Sequence, residues 1–415
     1  MFVYKTVSCF VYKTAPSGPS VRVALAYSGG LDTTVSIKWL QEKYGAEVIT
    51  VTVDVGQPED FVEVERRAYE AGAIKHYLID GKSRFAEEFI KPAIKANALY
   101  EGEYPVSTSL SRYLIAEEVA KVAKNEGCDA VAHGCTGKGN DQLRFDVTFA
   151  VLVPEMKLIA PVREWGMSRD QEIEYARSRG LRIDLKKSKY SIDENLWGRS
   201  IEAGDLEDPW HPVDWDAFKF ILPPSEWPEG EEIVVVFEGG APVSIDGERM
   251  PLEEMVMKLN FRAGRHGIGL IDHMEDRVIG LKSREVYEAP AATVLIRAHK
   301  DLEKLVLGRR TLAFKRSVEE EWTWLVYAGL WHDPLRRALD AFIEETQKVV
   351  TGEVRLRMEK GSLRVMGRRS EYAAYSEELI TYSGMSTFDQ RAGAAFSNLW
   401  SLETRILNRA RRSFG

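Results

Sequence analysis

The sequence predicts an α/β protein in which a parallel sheet is followed by an α+β region and a C-terminal helical arm. Three observations carry this reading. Short Val/Ile/Thr-rich runs alternate with helical runs from Val21 to His133. The alternation breaks over Asp184–Asp208 into a polar stretch, followed by Pro209, Pro212 and the Pro223-Pro224 pair. Beyond it come hairpin-like pairs and, at the end, Ala392–Arg412, which reads as one helix carrying Arg405, Arg409, Arg411 and Arg412.

The chain has 415 residues, which at roughly 150 per domain predicts two or three domains. Lys+Arg total 56 against Asp+Glu 64, a net charge of −8, so the broad basic footprint of a nucleic-acid coat is not expected. Three cysteines, Cys9, Cys128 and Cys135, exclude a disulfide framework and fit a reducing compartment. No apolar run approaches the ~20 residues of a membrane span. A cytoplasmic protein with neither nucleic-acid nor membrane partners is the expectation.

Residues 1–20 stand apart. Phe2-Val3-Tyr4-Lys5-Thr6 recurs as Phe10-Val11-Tyr12-Lys13-Thr14, and Ala15–Ser20 has linker composition, so this leader is read as disordered. From Val21 the expected elements are a strand over Arg22–Ala26, a helix over Leu31–Tyr44, a strand over Glu47–Val55 and a helix over Pro58–Ala71. A strand at Lys75–Ile79, helices at Ser83–Ile94 and Ser109–Glu126, and a strand at Ala130–His133 follow. Strands are expected at Ile233–Phe237 and Pro242–Ile245, and a helix at Leu252–Ala263. Helices at Val318–Leu330 and Leu335–Val350 flank Pro334, and Val354–Met358 with Leu363–Gly367 form a hairpin around Gly361. The domain boundaries expected are 21–185, 186–375 and 376–415.

In a parallel sheet, ligands bind beyond the carboxyl ends of the strands. Two Gly-rich segments lie at such ends. The first is Ala26-Tyr27-Ser28-Gly29-Gly30-Leu31-Asp32-Thr33-Thr34. Its glycines let the backbone approach a phosphate, and the helix that starts at once offers unpaired N–H groups to an anion. Ser28, Thr33 and Thr34 add hydroxyls. Asp32 beside phosphate calls for Mg²⁺ between them. Neither the dinucleotide fingerprint nor the Walker A spacing is present.

The second segment runs from Ala132 to Phe145: His133-Gly134-Cys135-Thr136-Gly137-Lys138-Gly139-Asn140-Asp141-Gln142-Leu143-Arg144. It gathers an ammonium, a hydroxyl, an amide, a carboxylate and a guanidinium beside glycines, a set suited to an amino-acid zwitterion. By this chemistry Thr136 and Asn140 can bond an α-carboxylate, Asp141 an α-ammonium and Arg144 a second carboxylate. Lys138 can neutralise phosphate charge.

The pattern Ser-Gly-Gly-x-Asp-Ser/Thr resembles the PP-loop of the N-type ATP pyrophosphatases. The second segment resembles the Thr-Gly-Lys-Gly-Asn-Asp-Gln-x-Arg-Phe motif of the argininosuccinate synthase family within that group. Tyr104 with Thr108-Ser109-Leu110, the run Ser191–Ser200, His266-Gly267-Ile268-Gly269 leading to Glu275, and Lys282–Glu288 extend the resemblance in order along the chain. Leu270 departs from the family pattern, which often has Arg there.

The resemblance implies a PP-loop ATP-binding domain, a synthetase domain and a C-terminal oligomerisation arm of a homotetramer. It implies ATP binding by Ala26, Tyr27, Ser28, Gly29, Gly30, Leu31, Asp32, Thr33, Thr34, Val53 and Gly134. Aspartate would be bound by Thr136, Asn140 and Asp141. Citrulline would be bound by Tyr104, Ser109, Asn140, Arg144, Ser191, Ser200, Glu275 and Tyr287. Asp32, as Mg²⁺ ligand, and Lys138 would serve catalysis. The implied activity is ligation of citrulline to aspartate with ATP cleaved to AMP and pyrophosphate, in arginine biosynthesis.

Each position also has a plain structural reading. Ser191 could cap a short helix, Glu275 could join a surface ion pair with Arg277, and Tyr104 and Tyr287 could be half-buried packing residues. Cys128, His133 and Cys135 lack the partners of a zinc site. The Trp322, Trp324, Leu325, Tyr327, Leu330 and Trp331 stripe reads as helix packing or a subunit interface.

Overall fold

Five short strands supply the frame of the first half: β1 (Arg22–Ala26), β2 (Glu47–Asp54), β3 (Lys75–Asp80), β4 (Ala130–Ala132) and β5 (Lys157–Ile159). All pair in parallel, in the order β3-β2-β1-β4-β5. The computed structural model describes residues 21–182 and 189–412; the leader 1–20 and the expected junction near residue 185 lie outside the described residues. Successive residues of β1 and β2 enter two different cores. Ala24, Ala26, Ile49, Val51 and Val53 face one, and Val23, Leu25 and Val48 the other. That two-sided burial is why these strands read as continuous apolar runs.

The sheet is covered by α1 (Leu31–Tyr44), α2 (Phe61–Glu70), α3 (Lys82–Phe85), α4 (Lys91–Lys95), α5 (Ser107–Asn125), α6 (Asp141–Leu152), α7 (Pro161–Trp165) and α8 (Arg169–Ser178). A π-helical turn, Ala86–Ile90, joins α3 to α4, so the helix expected at Ser83–Ile94 is one run with a bulge. Strand order reverses between β1 and β4, which opens a crevice at their carboxyl ends. Both Gly-rich segments leave the sheet there.

The second half adds two antiparallel sheets. β6 (Ser191–Asn195) and β7 (Gly198–Glu202) come first, then β8 (Glu231–Glu238), β9 (Ala241–Ile245) and β10 (Glu248–Arg249). They are followed by β11 (Leu270–Asp276), β12 (Lys282–Glu288), β13 (Gly352–Glu359) and β14 (Ser362–Arg369). The sheets run β11-β12-β7-β6 and β10-β9-β8-β13-β14. Helices α9 (Leu252–Gly264), α10 (Pro290–Val306), α11 (Arg309–Tyr327) and α12 (Pro334–Gln347) accompany them. The sequence reading contains no α10, and starts α11 nine residues late.

Two plain readings fall. Ser191 begins a strand paired to β7 and caps no helix, because Ile192 to Asn195 continue the ladder. Glu275 is 4% exposed and thus no surface ion pair. Trp322 and Trp331 are buried in the main core, as packing requires. From Ala373 onward the described residues form a separate unit. It contains α13 (Glu377–Ile380), α14 (Gln390–Trp400) and α15 (Leu402–Arg412), so the single terminal helix expected is two, divided at Ser401. Phe396, Leu399, Trp400, Leu402, Ile406 and Leu407 of this unit are exposed.

Candidate active site

At the end of β1 the chain turns through Gly29, at φ +74°, where an added Cβ would stand 3.0 Å from Val64 Cγ2. Only glycine suits that backbone. Gly30 then caps α1 with no side-chain bond, so the first N–H groups of the helix remain open to an anion. The hydroxyls beside them are tied together. Ser28 Oγ lies 3.2 Å from Thr33 Oγ1, and Tyr27 Oη 3.1 Å from Thr34 Oγ1. Ala26 and Leu31 are buried supports of the turn. Asp32 reaches outward and accepts from Arg169 Nη1 at 3.0 Å. Val53, on the neighbouring strand, has its carbonyl occupied by Gln57 Nε2 at 2.8 Å.

The segment after β4 abuts this turn. His133, fully buried, donates from Nε2 to Asp146 at 2.7 Å and accepts the Cys135 N–H at 3.1 Å on Nδ1. Both ring nitrogens are therefore committed to shaping the loop. Gln142 Nε2 donates to the carbonyls of Gly137 at 2.6 Å and Gly139 at 3.2 Å, leaving Thr136 and Lys138 exposed on the loop crest. Asn140 Oδ1 accepts from Val278 N at 3.1 Å, which fixes the amide and leaves its N–H₂ end as a donor.

Charge concentrates one helical turn further on. Asp141 accepts from Arg112 Nε at 2.8 Å and from Arg144 Nη1 at 2.6 Å. Arg112 continues to Asp193. Burial alone would raise the Asp141 carboxyl, but the two guanidinium groups outweigh it and hold the acid below its ordinary range. For Asp193 burial wins, and its carboxyl is pushed up. Burial also pushes the Cys135 thiol far above its ordinary value, with Asp141 adding to the effect.

The third part is aromatic. Tyr104 stacks on Tyr287 with ring centroids 4.1 Å apart, and its hydroxyl accepts from Thr108 N at 2.9 Å. Tyr287 pairs with Ser200 across the sheet, and Ser200 pairs with Asp193. Ser200 Oγ lies 3.5 Å from Thr108 Oγ1. Glu275 receives the hydroxyl of Tyr287 on Oε2 and that of Tyr327 on Oε1, the latter at 2.6 Å. Ser109 Oγ is buried with no hydrogen-bond partner among the described residues.

The structure therefore joins Asn140, Asp141, Arg144, Tyr104, Ser200, Glu275 and Tyr287 through shared contacts. Ser191 is exposed at the start of β6, opposite Glu202, on the strand face of Asp193 by alternation. Arg112, Asp193, Arg169 and Tyr327 belong to the same surroundings and were not singled out from sequence. Arg112 had a signal: it lies three residues after Ser109 on one helix, and such residues share a face. Asp193 lies inside the Ser191–Ser200 run. Tyr327 looked like one more member of a packing stripe.

A bare helix N-terminus behind a glycine turn, at the switch point of a parallel sheet, defines a nucleotide-binding α/β protein. Residues 22–182 match the family model described as the Arginosuccinate synthase N-terminal HUP domain, and residues 190–407 match the Arginosuccinate synthase C-terminal domain. The chain belongs to the argininosuccinate synthase family. It is 53% identical over 385 residues to the argininosuccinate synthase of Pyrococcus furiosus, covering 92% of this chain and 93% of that protein. With the argininosuccinate synthase of Oceanobacillus iheyensis it shares 52% over 387 residues, 93% of each chain. With that of Pyrobaculum aerophilum it shares 53% over 394 residues, 94% of this chain and 99% of the relative.

Proposed function

We propose that the protein ligates citrulline to aspartate, forming argininosuccinate with AMP and pyrophosphate as by-products. The observation that carries this is the adjacency of the two Gly-rich segments, one built for phosphate and the other for an amino acid, with a closed aromatic and ionic cluster beside them. The ureido oxygen of citrulline attacks the α-phosphorus of ATP, and pyrophosphate leaves. The aspartate amine then attacks the ureido carbon of citrullyl-AMP, and AMP leaves with the bonding pair while the amine loses a proton.

In this reading the Ala26–Thr34 turn with Val53 and Gly134 binds ATP. Thr136, Asn140 and Asp141 bind aspartate. Tyr104, Ser109, Asn140, Arg144, Ser191, Ser200, Glu275 and Tyr287 bind citrulline. Lys138, on the exposed crest, neutralises developing phosphate charge. Asp32 is a hard carboxylate, 41% exposed at the phosphate turn, and fits a Mg²⁺ ligand. When bound, Mg²⁺ would supply charge neutralisation for the leaving pyrophosphate. We assign 21–185 to ATP binding, 186–375 to the amino acids and 376–415 to assembly of a homotetramer in the cytoplasm.

The test is a pyrophosphate-release assay on the purified protein. Rapid release is expected only with ATP, Mg²⁺, citrulline and aspartate together. Omitting aspartate should leave citrulline-dependent exchange of labelled pyrophosphate into ATP. Release that ignores citrulline and responds to tRNA would overturn the reading, and so would ATP binding without release under any combination.

A further inference from the structure

Tyr327 closes α11 and is fully buried. Its two polar ends serve two different parts of the site. The hydroxyl donates to Glu275 Oε1 at 2.6 Å. The carbonyl accepts two arms of the Arg144 guanidinium, Nε at 3.2 Å and Nη2 at 3.0 Å. The same guanidinium lies over the Tyr327 ring, 5.3 Å from its centroid. One residue thus touches the carboxylate at one end of the cluster and the cation at the other.

Its ring is fixed independently. Tyr100 stacks on it at 3.6 Å between centroids, and the Tyr100 hydroxyl donates at 2.7 Å to the carbonyl of Asp276, next to Glu275. Tyr113 secures the helix end by donating to the Val326 carbonyl. Glu275 has one further hydroxyl, from Tyr287, so both carboxylate oxygens are engaged by phenols. Without Tyr327 the Oε1 side of a carboxylate 4% exposed would lose its donor, and Glu275 would be held by the Tyr287 hydroxyl alone.

We infer that Tyr327 is a positioning residue for citrulline, setting the distance between the Arg144 guanidinium and the Glu275 carboxylate so that one amino acid can span both. This rests on the assignment of Arg144 and Glu275 to citrulline made above. Its hydroxyl and carbonyl bond Glu275 and Arg144, not the residues assigned to ATP or to aspartate, so its effect should be confined to one substrate. Preorganisation of this kind is how a second layer of side chains sharpens a binding site.

The experiment uses the full-length protein and its Tyr327→Phe variant, which keeps ring, stacking and carbonyl and loses only the hydroxyl. The Michaelis constant for citrulline is expected to rise roughly ten- to a hundredfold, the effect of one hydrogen bond to a charged group, with those for ATP and aspartate within about twofold of wild type. Tyr113→Phe is the comparison: it loosens the same helix end and should lower the melting temperature without a citrulline-selective effect. Equal losses for all three substrates in Tyr327→Phe, or a citrulline constant unchanged, would overturn the inference. If the wild type itself shows no citrulline-dependent exchange of pyrophosphate into ATP, the functional assignment fails instead, so the two failures are separable.

Discussion

Gly134 lies directly against Thr33, so close that a Cβ on the glycine would stand 2.9 Å from Thr33 Cγ2. The contact joins the end of β4 to the first turn of α1 across the switch point. Thr33 is β-branched and bonded to Ser28, so it cannot step aside without moving the hydroxyls that face the phosphate turn. Gly134→Ala should raise the Michaelis constant for ATP about tenfold while citrulline and aspartate constants stay near wild type. Overpacking of this kind costs ~1–3 kcal/mol of stability, visible as a melting temperature lower by a few degrees. Initial rates with each substrate varied in turn would check it.

Asp32→Asn separates stability from chemistry. The Asp32–Arg169 pair is exposed at both ends, 41% and 62%, and such pairs contribute about 0–1 kcal/mol. The melting temperature should therefore hardly change. Pyrophosphate release should fall by at least a hundredfold, because a neutral amide is a poor ligand for a hard divalent cation. A titration with Mg²⁺ at saturating substrates is the measurement, and near-normal rates across it would remove Asp32 from the site.

The turn after β1 was legible because every requirement on it is local: a strand end, glycine at positive φ, and a helix start within a few residues. The same holds for the hairpin of β13 and β14. Helix α10 was not legible, for an opposite reason. Its solvent-facing positions, Thr293, Arg297, Lys300 and Lys304, do recur at helical spacing, but the buried side between them also carries His299, Asp301 and Glu303, polar residues satisfied from elsewhere, which masks the apolar face. Asn97 contacts His299 at 2.7 Å and Glu303 at 2.7 Å from 202 and 206 residues upstream, and Arg368 meets Asp301 at 2.6 Å. No periodicity within the segment can announce such partners. Tyr327 was missed likewise: Glu275 and Arg144, which give it meaning, lie far away in sequence and on different elements.

Glu285 gives a pH prediction. Its carboxyl is pushed up to about 9, by burial first and then by Glu202 and Glu275, while a single guanidinium, Arg277, is shared with Glu202. Between its ordinary value and that raised one, the folded protein holds a proton that the unfolded chain releases. Stability contributed this way is present in mild acid and is lost as pH rises through the window, by at most about 1.4 kcal/mol per pH unit for one proton. Glu285→Gln, neutral throughout, should flatten the decline. Melting temperatures at pH 5.5, 7 and 8.5 should converge or cross for the two proteins, and parallel curves would contradict the assignment.

Asp141 shows how the structure alters an expectation drawn from a motif. The family resemblance assigns its carboxylate to aspartate, so truncation should mainly weaken that substrate. In the fold both oxygens are engaged, one by Arg112 and one by Arg144. Arg144 is 4% exposed, so Asp141→Ala would leave a buried guanidinium with only the Tyr327 carbonyl to hold it. Breaking a buried pair from one side costs about 3–5 kcal/mol, and the released arginine should shift relative to Glu275. The expected result is therefore a rise in the Michaelis constants of aspartate and citrulline together, with a lower melting temperature. Asp141→Asn keeps an oxygen for one arginine and removes only the charge. It should raise the aspartate constant roughly ten- to a hundredfold with a smaller change for citrulline. Because exchange of pyrophosphate into ATP needs no aspartate, it should survive in the Asn variant and fall in the Ala variant. An Ala variant with unaltered citrulline binding would mean that Arg144 is held in place by Tyr327 alone.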